Sequence, residues 1–562
     1  MSRQALSGTP AADGIAAGTI VVFDRRVAGQ PHDTAAPTDP AHEAERFAAA
    51  VATTRERIDA ARAAAADQAG EAEAAIFDAH LMFLDDPAFV GEIERAISER
   101  NAAADAAVHE VSDSIVAMFE ELDDEYLRAR AADVRDVANQ ILSALSGGDA
   151  SHTTLPANAI VVAEEIFPSD TATMDLTSLA GIATERGSPT AHVAILARAL
   201  GVPTIVGVSE LLAIAQNGQS AILDGSSGSL ILDPSDDEQA EAAARIAEQR
   251  ERRQQQAADR DQPVMTADGV LVSLEANIGV PAEAEIALAQ GATGIGLFRT
   301  EFLFVNQPSL PDEETQFRAY RQAAEAMGDH PVIIRTLDAG GDKPLPGITD
   351  HGETEANPFL GVRGLRLCLE HPDLFRSQVR ALLRAATVGN IWVMFPMVAN
   401  VADVREAREF VATTAAELAA EGVEHNPSPP LGIMIEIPSA AVAIDVLIDE
   451  VDFVSIGTND LVQYTLAIDR TNPSLARKYP ADNIAVLRLM QQVLSTANAA
   501  GKYAGICGEM AGDPAFIPLL LGLGARDLSM GAARLDAARA LIRTTSLADA
   551  QRIAEERLQT GT

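Results

Sequence analysis

The chain has 562 residues, enough for two to four domains that each bury a core of their own. Its 82 acidic residues against 42 basic ones, a formal net charge of −40, argue against nucleic acid as the main partner, because a polyanionic surface repels phosphate backbones. Two cysteines, Cys368 and Cys507, cannot build a disulfide framework, and neither a signal-like N-terminus nor an apolar run of 18 residues occurs, so a cytoplasmic protein without membrane insertion is expected.

Residues 9–25 alternate glycine turns with a β-rich run, Gly-Thr-Ile-Val-Val-Phe. From about 38 to 146 the sequence turns Ala/Glu/Arg-rich, with apolar residues at helical spacing and almost no glycine, which predicts a bundle of three to five helices. Residues 155–233 return to short β-branched runs such as Ala-Ile-Val-Val-Ala and Pro-Thr-Ile-Val-Gly. The pattern predicts a small α/β domain, 1–30 with 150–233, into which a helical domain, 31–149, is inserted. Within it, Gly187-Ser-Pro-Thr-Ala-His192 presents a histidine on a turn that opens an apolar segment. Neutral imidazole is a nucleophile near pH 7, and a helix N-terminus behind it favours a phosphoryl group; a capping or core histidine is the plainer alternative.

A polar stretch at 235–262 predicts a linker helix, within a linker segment bounded at 234 and 264. Beyond it come eight strand-like runs, at 271–276, 294–298, 332–337, 391–396, 432–437, 453–457, 503–507 and 527–530, most of them separated by amphipathic stretches. Eight strands alternating with helices predict a (β/α)8 TIM barrel over 265–562, with its chemistry at the C-terminal strand ends. Those ends carry Arg299, Arg335, Glu436, Asn459-Asp460 and Cys507, and nearby loops carry Lys343, Arg363 and Arg470. Arginine forks suit a phosphate and a carboxylate on one small anion. Glu436 and Asp460 make a hard-oxygen site for Mg²⁺. Cys507 at a strand end suits acid/base work, although a free cysteine is as readily a small buried hydrophobe. Lys343 is one of only three lysines, with Lys478 and Lys502, and it survives in an Asp-Ala-Gly-Gly-Asp-Lys loop.

These stretches resemble enzyme I of the phosphoenolpyruvate-dependent sugar phosphotransferase system over nearly the whole chain. The resemblance rests on Thr190-Ala-His192, Gly-Leu-Phe-Arg299-Thr-Glu-Phe, Arg335-Thr-Leu-Asp-Ala-Gly-Gly-Asp-Lys343 and Met-Phe-Pro-Met397. It continues through Gly-Ile-Met-Ile-Glu436-Ile-Pro, Gly-Thr-Asn459-Asp460, Asp469-Arg470 and Cys507-Gly-Glu-Met. In the helical region, Ala-Ile-Phe-Asp-Ala-His80 and the segment around Tyr126 are similar to the module that docks the carrier protein HPr. The resemblance implies a swivelling α/β phosphohistidine domain with an inserted helical bundle and a barrel that binds phosphoenolpyruvate and forms a homodimer. It also implies His192 as phosphohistidine nucleophile, Glu436 and Asp460 as Mg²⁺ ligands, and Cys507 as donor of the proton that makes pyruvate. Arg299, Arg335 and Arg470, helped by Asn459, would hold the substrate, with Lys343 and Arg363 beside them. Because the histidine and the barrel lie in separate domains, the linker is the natural hinge.

The chain departs from the family where Gly187-Ser-Pro-Thr-Ala-His192 replaces Gly-Gly-Arg-Thr-Ser-His, where Phe167 replaces a threonine, and where Val362 replaces an aromatic residue. Pyruvate phosphate dikinase and phosphoenolpyruvate synthase share these domains but need a large ATP-binding domain, for which about 110 helical residues do not suffice. A regulatory homologue that senses phosphoenolpyruvate is the other alternative. An acidic chain so poor in lysine suits molar intracellular salt, where a Debye length of roughly 3 Å screens self-repulsion; a halophilic source is expected. Steering of HPr by long-range charge would then be lost, and docking is expected to rely on Leu81, Met82, Phe83 and Leu84.

Overall fold

The computed structural model describes residues 3–23, 39–69, 77, 80–120, 125–147, 155–171, 174, 178–188, 193–194, 197–198, 201–260, 262–304, 309–340, 345, 348, 357–469, 472, 475 and 478–560. Side chains are described in these ranges except at 63–69, 120, 125–130, 252–254 and 256–258. His192, Lys343 and Arg470 lie outside the described residues, as does the side chain of Tyr126. The chain divides into two units, Met1–Arg252 and Arg253–Thr562.

In the first unit, strands β1 (Gln4–Ser7), β2 (Thr9–Ala12) and β3 (Ile15–Phe23) precede the helices α1 (Pro40–Ala69), α2 (Val90–Arg100), α3 (Ala104–Glu120) and α4 (Glu125–Leu145). Strands β4 (Ala159–Ala163), β5 (Leu179–Thr184), β6 (Thr204–Val206), β7 (Ser220–Asp224) and β8 (Ser229–Leu232) follow. All eight join one mixed sheet in the order β1-β8-β7-β3-β4-β5-β6-β2. The central strand β4 is buried at every position because both faces are covered: Ile160 and Val162 enter one core, and Ala159, Val161 and Ala163 the other. A two-faced strand therefore reads as a continuous apolar run without alternation. The helices instead bury one stripe each, as Ile93, Ala96 and Ile97 do on α2 at helical spacing.

Asp136 on α4 ties the bundle to the α/β part. Fully buried, it accepts hydrogen bonds from the Ser169 hydroxyl at 2.5 Å and the Ser169 amide at 3.2 Å, on the turn Pro168–Thr171. Phe167 is also buried, and its amide donates to Asp170 Oδ2 at 2.9 Å. The expected docking segment splits by exposure. Met82 is 72% exposed and Leu81 and Phe83 are half-buried, but Leu84 belongs to the bundle core. Replacing Leu84 would test folding and not docking.

Helix α5 (Asp236–Ala258) carries the chain onward. The second unit is a closed, all-parallel barrel of β9 (Ser273–Ile278), β10 (Ile295–Arg299), β11 (Pro331–Arg335), β12 (Asn390–Phe395), β13 (Leu431–Ile435), β14 (Phe453–Ile456), β15 (Tyr503–Ile506) and β16 (Asp527–Gly531). Each of the eight expected runs becomes a strand. The interior is layered. Trp392, Phe453 and Tyr503 meet edge to face or tilted at the amino-terminal end, with centroids 5.0 to 6.1 Å apart. Leu297, Ile333, Met394 and Met434 fill the middle, and charged side chains gather at the carboxy-terminal end.

Glu275 interrupts the apolar plug from β9. Burial first, and then the neighbouring Asp527, push its carboxyl up to about 8, while the Tyr503 hydroxyl donates to it at 2.5 Å. The folded state thus keeps a proton that the unfolded chain releases near 4.5. Between those values the folded protein binds the extra proton, so stability falls as pH rises, by about 1.4 kcal/mol per unit for one proton. Denaturant unfolding of Glu275→Gln and wild type checks this: the difference in midpoint should move in favour of the variant from pH 5 to pH 8. A pH-independent difference contradicts it.

Candidate active site

The strand ends enclose a cavity of about 650 Å³ lined by Arg299, Arg335, Asp338, Arg363, Glu436, Asn459, Asp460, Cys507 and Arg534, among others. Each position follows from the barrel: parallel strands point their last inward residues at one rim, so residues far apart in sequence converge. Arg299 closes β10, Arg335 closes β11, and Glu436 follows β13 directly. The helix Thr458–Leu466 begins two residues after β14 and carries Asn459 and Asp460 in its first turn.

Three carboxylates, Asp338, Glu436 and Asp460, are buried with one oxygen of each within 4.8 Å of the others. Burial pushes Glu436 up to about 8, Asp338 and Asp460 push the same way, and Arg335 opposes them. The Met397 amide donates to Glu436 Oε1 at 2.6 Å, and Met397 itself takes a left-handed backbone, φ 57°. A non-glycine residue in that region stores on the order of 1 kcal/mol or more, held by the surrounding structure. A compact set of hard oxygen donors whose charges repel fits a divalent cation such as Mg²⁺, which would relieve the repulsion.

The arginines divide into two kinds. Arg335 is buried against Glu301 and lies 3.0 Å from Asp338. Arg363, 2% exposed, forks onto Asp338 at 3.0 and 3.1 Å and reaches Asp460 at 3.5 Å. These two brace the carboxylates. Arg299 and Arg534 differ: both line the cavity, and no ion pair holds either among the described residues. They are cations available to an anionic ligand. Asn459 is pinned across the rim, its Oδ1 accepting from the Glu509 amide at 3.0 Å.

Cys507 follows β15 directly and is buried. Burial raises its thiol above the ordinary range, opposed by the Ser455 hydroxyl and by Arg335 and Arg299. A thiol that keeps its proton through neutral pH suits an acid better than a nucleophile. Cys368, the second cysteine, is buried beside Leu337 and takes no part in the cavity.

The structure thus brings together Arg299, Arg335, Arg363, Glu436, Asn459, Asp460 and Cys507. Sequence reasoning missed Glu301, Asp338 and Arg534. Glu301 and Asp338 sit two and three residues beyond strand-end arginines and look like ordinary loop acids until the ion pairs are seen. Arg534 was within reach: it follows β16 as the others follow their strands, and only the end of the eighth strand went unread.

Comparison with known proteins places the chain. Three family descriptions match in order: PEP-utilising enzyme, N-terminal, over residues 7–130; PEP-utilising enzyme, mobile domain, over 155–228; and PEP-utilising enzyme, PEP-binding domain, over 253–547. The phosphoenolpyruvate-protein phosphotransferase of Bacillus sp. (strain S) is 43% identical over 98% of this chain and 96% of its own length. That of Geobacillus stearothermophilus gives the same identity and the same coverage. That of Listeria innocua is 40% identical over 99% of this chain and 97% of its own. The chain belongs to the phosphoenolpyruvate-protein phosphotransferase family of PEP-utilising enzymes.

Proposed function

We propose that this chain is a phosphoenolpyruvate-protein phosphotransferase that takes the phosphoryl group of phosphoenolpyruvate onto its own His192 and passes it to a histidine of HPr, releasing pyruvate. This is the first step of sugar uptake by the phosphotransferase system. The observation that carries the reading is the juxtaposition of unpaired arginine, a buried carboxylate triad and a protonated thiol in one cavity. Arg299 binds the phosphate or carboxylate of the substrate together with Asn459, and Arg470 and Lys343, which lie outside the described residues, are assigned to the same anion. One unit charge about 4 Å away is worth on the order of 4 kcal/mol at an effective dielectric near 20. Arg335 and Arg363 hold Asp338, Glu436 and Asp460 in place. Glu436 and Asp460, joined by Asp338, would hold Mg²⁺, which supplies neutralisation of phosphate charge when bound.

The lone pair of a His192 ring nitrogen displaces the enolate oxygen at phosphorus, and Cys507 gives its proton to C3 of the enolate. Positioning and charge neutralisation carry the first step, and general acid catalysis the second. The α5 segment acts as the hinge between donor and acceptor ends, the barrel unit forms a homodimer, and the protein works in the cytoplasm; no described helix is long and apolar enough to cross a membrane. Incubation with phosphoenolpyruvate and Mg²⁺, with and without HPr, tests the reading: sustained pyruvate release should need HPr and not ATP. A requirement for ATP sinks it, and HPr-independent turnover sinks the carrier step.

The acidic, lysine-poor surface supports a high-salt setting, in which the exposed Met82 is the apolar contact for HPr. Met82→Ala should weaken HPr binding about tenfold in molar salt, the loss of one buried thioether side chain. Titration calorimetry checks this, and unchanged affinity refutes it.

A further inference from the structure

The unpaired arginines of the cavity, Arg299 and Arg534, come from the same side of the barrel. Arg299 closes β10, and Arg534 stands three residues beyond the end of β16, in the turn Ala532–Arg534. Only β9 separates their strands, and β13, which leads into Glu436, lies diametrically across the ring. An anion in the cavity therefore has cations on one wall and Glu436 of the carboxylate triad on the other.

The arginines differ in depth. Leu297 and Arg299 are two apart on β10, so their side chains share the inner face, with Arg299 one layer higher. Leu297 belongs to the same interior cluster as Cys507, so the half-buried Arg299 sits just above the layer of the thiol. Arg534 is exposed and stands past the strand end. Its stem crosses the turn Glu509–Gly512, where a Cβ on the buried Gly512 would lie 2.8 Å from Arg534 Cδ. The missing side chain leaves the room in which that stem lies. Acids at the same rim are engaged elsewhere. Glu509 Oε1 accepts from Asn459 Nδ2 at 3.4 Å, Asp513 Oδ1 accepts from the Ala515 amide at 2.9 Å, and neither forms an ion pair with Arg534.

We propose that Arg534 anchors the phosphoryl group of phosphoenolpyruvate at the mouth, while Arg299 takes the carboxylate below it. The inference rests on the reading of this cavity as the phosphoenolpyruvate site with Cys507 facing C3. The geometry of the substrate assigns its two ends. C3 must meet the buried thiol, which turns that end of the molecule towards the floor. Phosphorus must be open in line with its bond to the bridging oxygen, and His192 belongs to the first unit, so the nucleophile arrives from solvent. The phosphoryl group then points to the mouth, where Arg534 stands. A planar fork of N–H donors matches two non-bridging oxygens at once. Those oxygens keep their charge throughout transfer, so a cation placed there steadies the group while the bond to phosphorus changes hands. Pyruvate retains the carboxylate and lacks the phosphoryl group, so it leaves without this contact.

Titration calorimetry on the full chain with Mg²⁺ tests this with inert probes. One is 2-phosphoglycolate, which carries a carboxylate and a phosphate; the other is oxalate, which carries carboxylates alone. Wild type is compared with Arg534→Met, Arg534→Lys and Arg299→Met. Arg534 is exposed and makes no ion pair among the described residues, so its variants should keep the wild-type urea midpoint, which is checked first. Arg534→Met should weaken 2-phosphoglycolate about tenfold, the worth of one charge-assisted contact, and leave oxalate within about twofold. Arg534→Lys should recover part of the loss, and Arg299→Met should weaken both probes. An equal loss for both probes in Arg534→Met places Arg534 on the carboxylate and overturns the proposal. No change for either probe makes it a free surface cation and overturns the proposal too. If wild type binds neither probe, the reading of the cavity as the phosphoenolpyruvate site fails instead.

Discussion

Cys507→Ala is expected to slow enzyme-bound conversion of enolpyruvate to pyruvate by about 10²- to 10⁴-fold, the usual worth of a positioned general acid. Formation of phosphohistidine should suffer far less, because the P–O bond breaks before the carbon is protonated. Rapid-quench sampling separates the two: acid-labile phosphate should appear ahead of pyruvate in the variant and together with it in wild type. The expectation follows from where the thiol lies. It is buried at the end of β15, its proton is retained through neutral pH by burial, and Arg335 and Arg299 are near enough to stabilise the thiolate that protonation leaves. Equal slowing of both steps would instead make Cys507 a packing residue.

Arg335→Met should damage the barrel severely. Arg335 is buried and holds Glu301 and Asp338, and its removal leaves two buried carboxylates short of their counterion. Breaking such a pair costs about 3–5 kcal/mol, much of it the desolvation of the charge left behind. The same change frees Asp338 from one of its two arginines and so loosens the carboxylate triad. We expect a loss of about 3–5 kcal/mol for the barrel unit in urea, and a fall in kcat/KM for phosphoenolpyruvate of at least about 10²-fold. Arg335→Lys should recover little, since one ammonium cannot serve two carboxylates in a planar fork. A variant as stable as wild type would show that these acids are protonated in the fold.

The fold was legible because the chain repeats its signal. Eight short apolar runs, most of them separated by amphipathic stretches, have the pattern of a parallel (β/α)8 barrel, and the strands appear where the runs lie. The α/β sheet was harder to read from β4, whose apolar residues face two cores and carry no period. The site was legible to the extent that chemistry sits on strand ends: Arg299, Arg335, Glu436, Asp460 and Cys507 all line one cavity. What the sequence concealed was pairing. Nothing in Arg335-Thr-Leu-Asp338 says that the aspartate turns back onto two arginines, one of them 25 residues away, and joins Glu436 and Asp460. Leu84 misled for a related reason: four apolar residues in a row look alike, and only helix packing tells which one faces the core.

The central claim is that the phosphoryl group of phosphoenolpyruvate comes to rest on His192. The direct measurement is incubation with phosphoenolpyruvate and Mg²⁺, proteolysis under alkaline conditions that preserve phosphoramidates, and mass mapping of the modified peptide. The account predicts one acid-labile phosphate per chain, on the peptide containing Gly187-Ser-Pro-Thr-Ala-His192, and none in His192→Ala. Phosphate on another residue, or labelling that survives in His192→Ala, would contradict it.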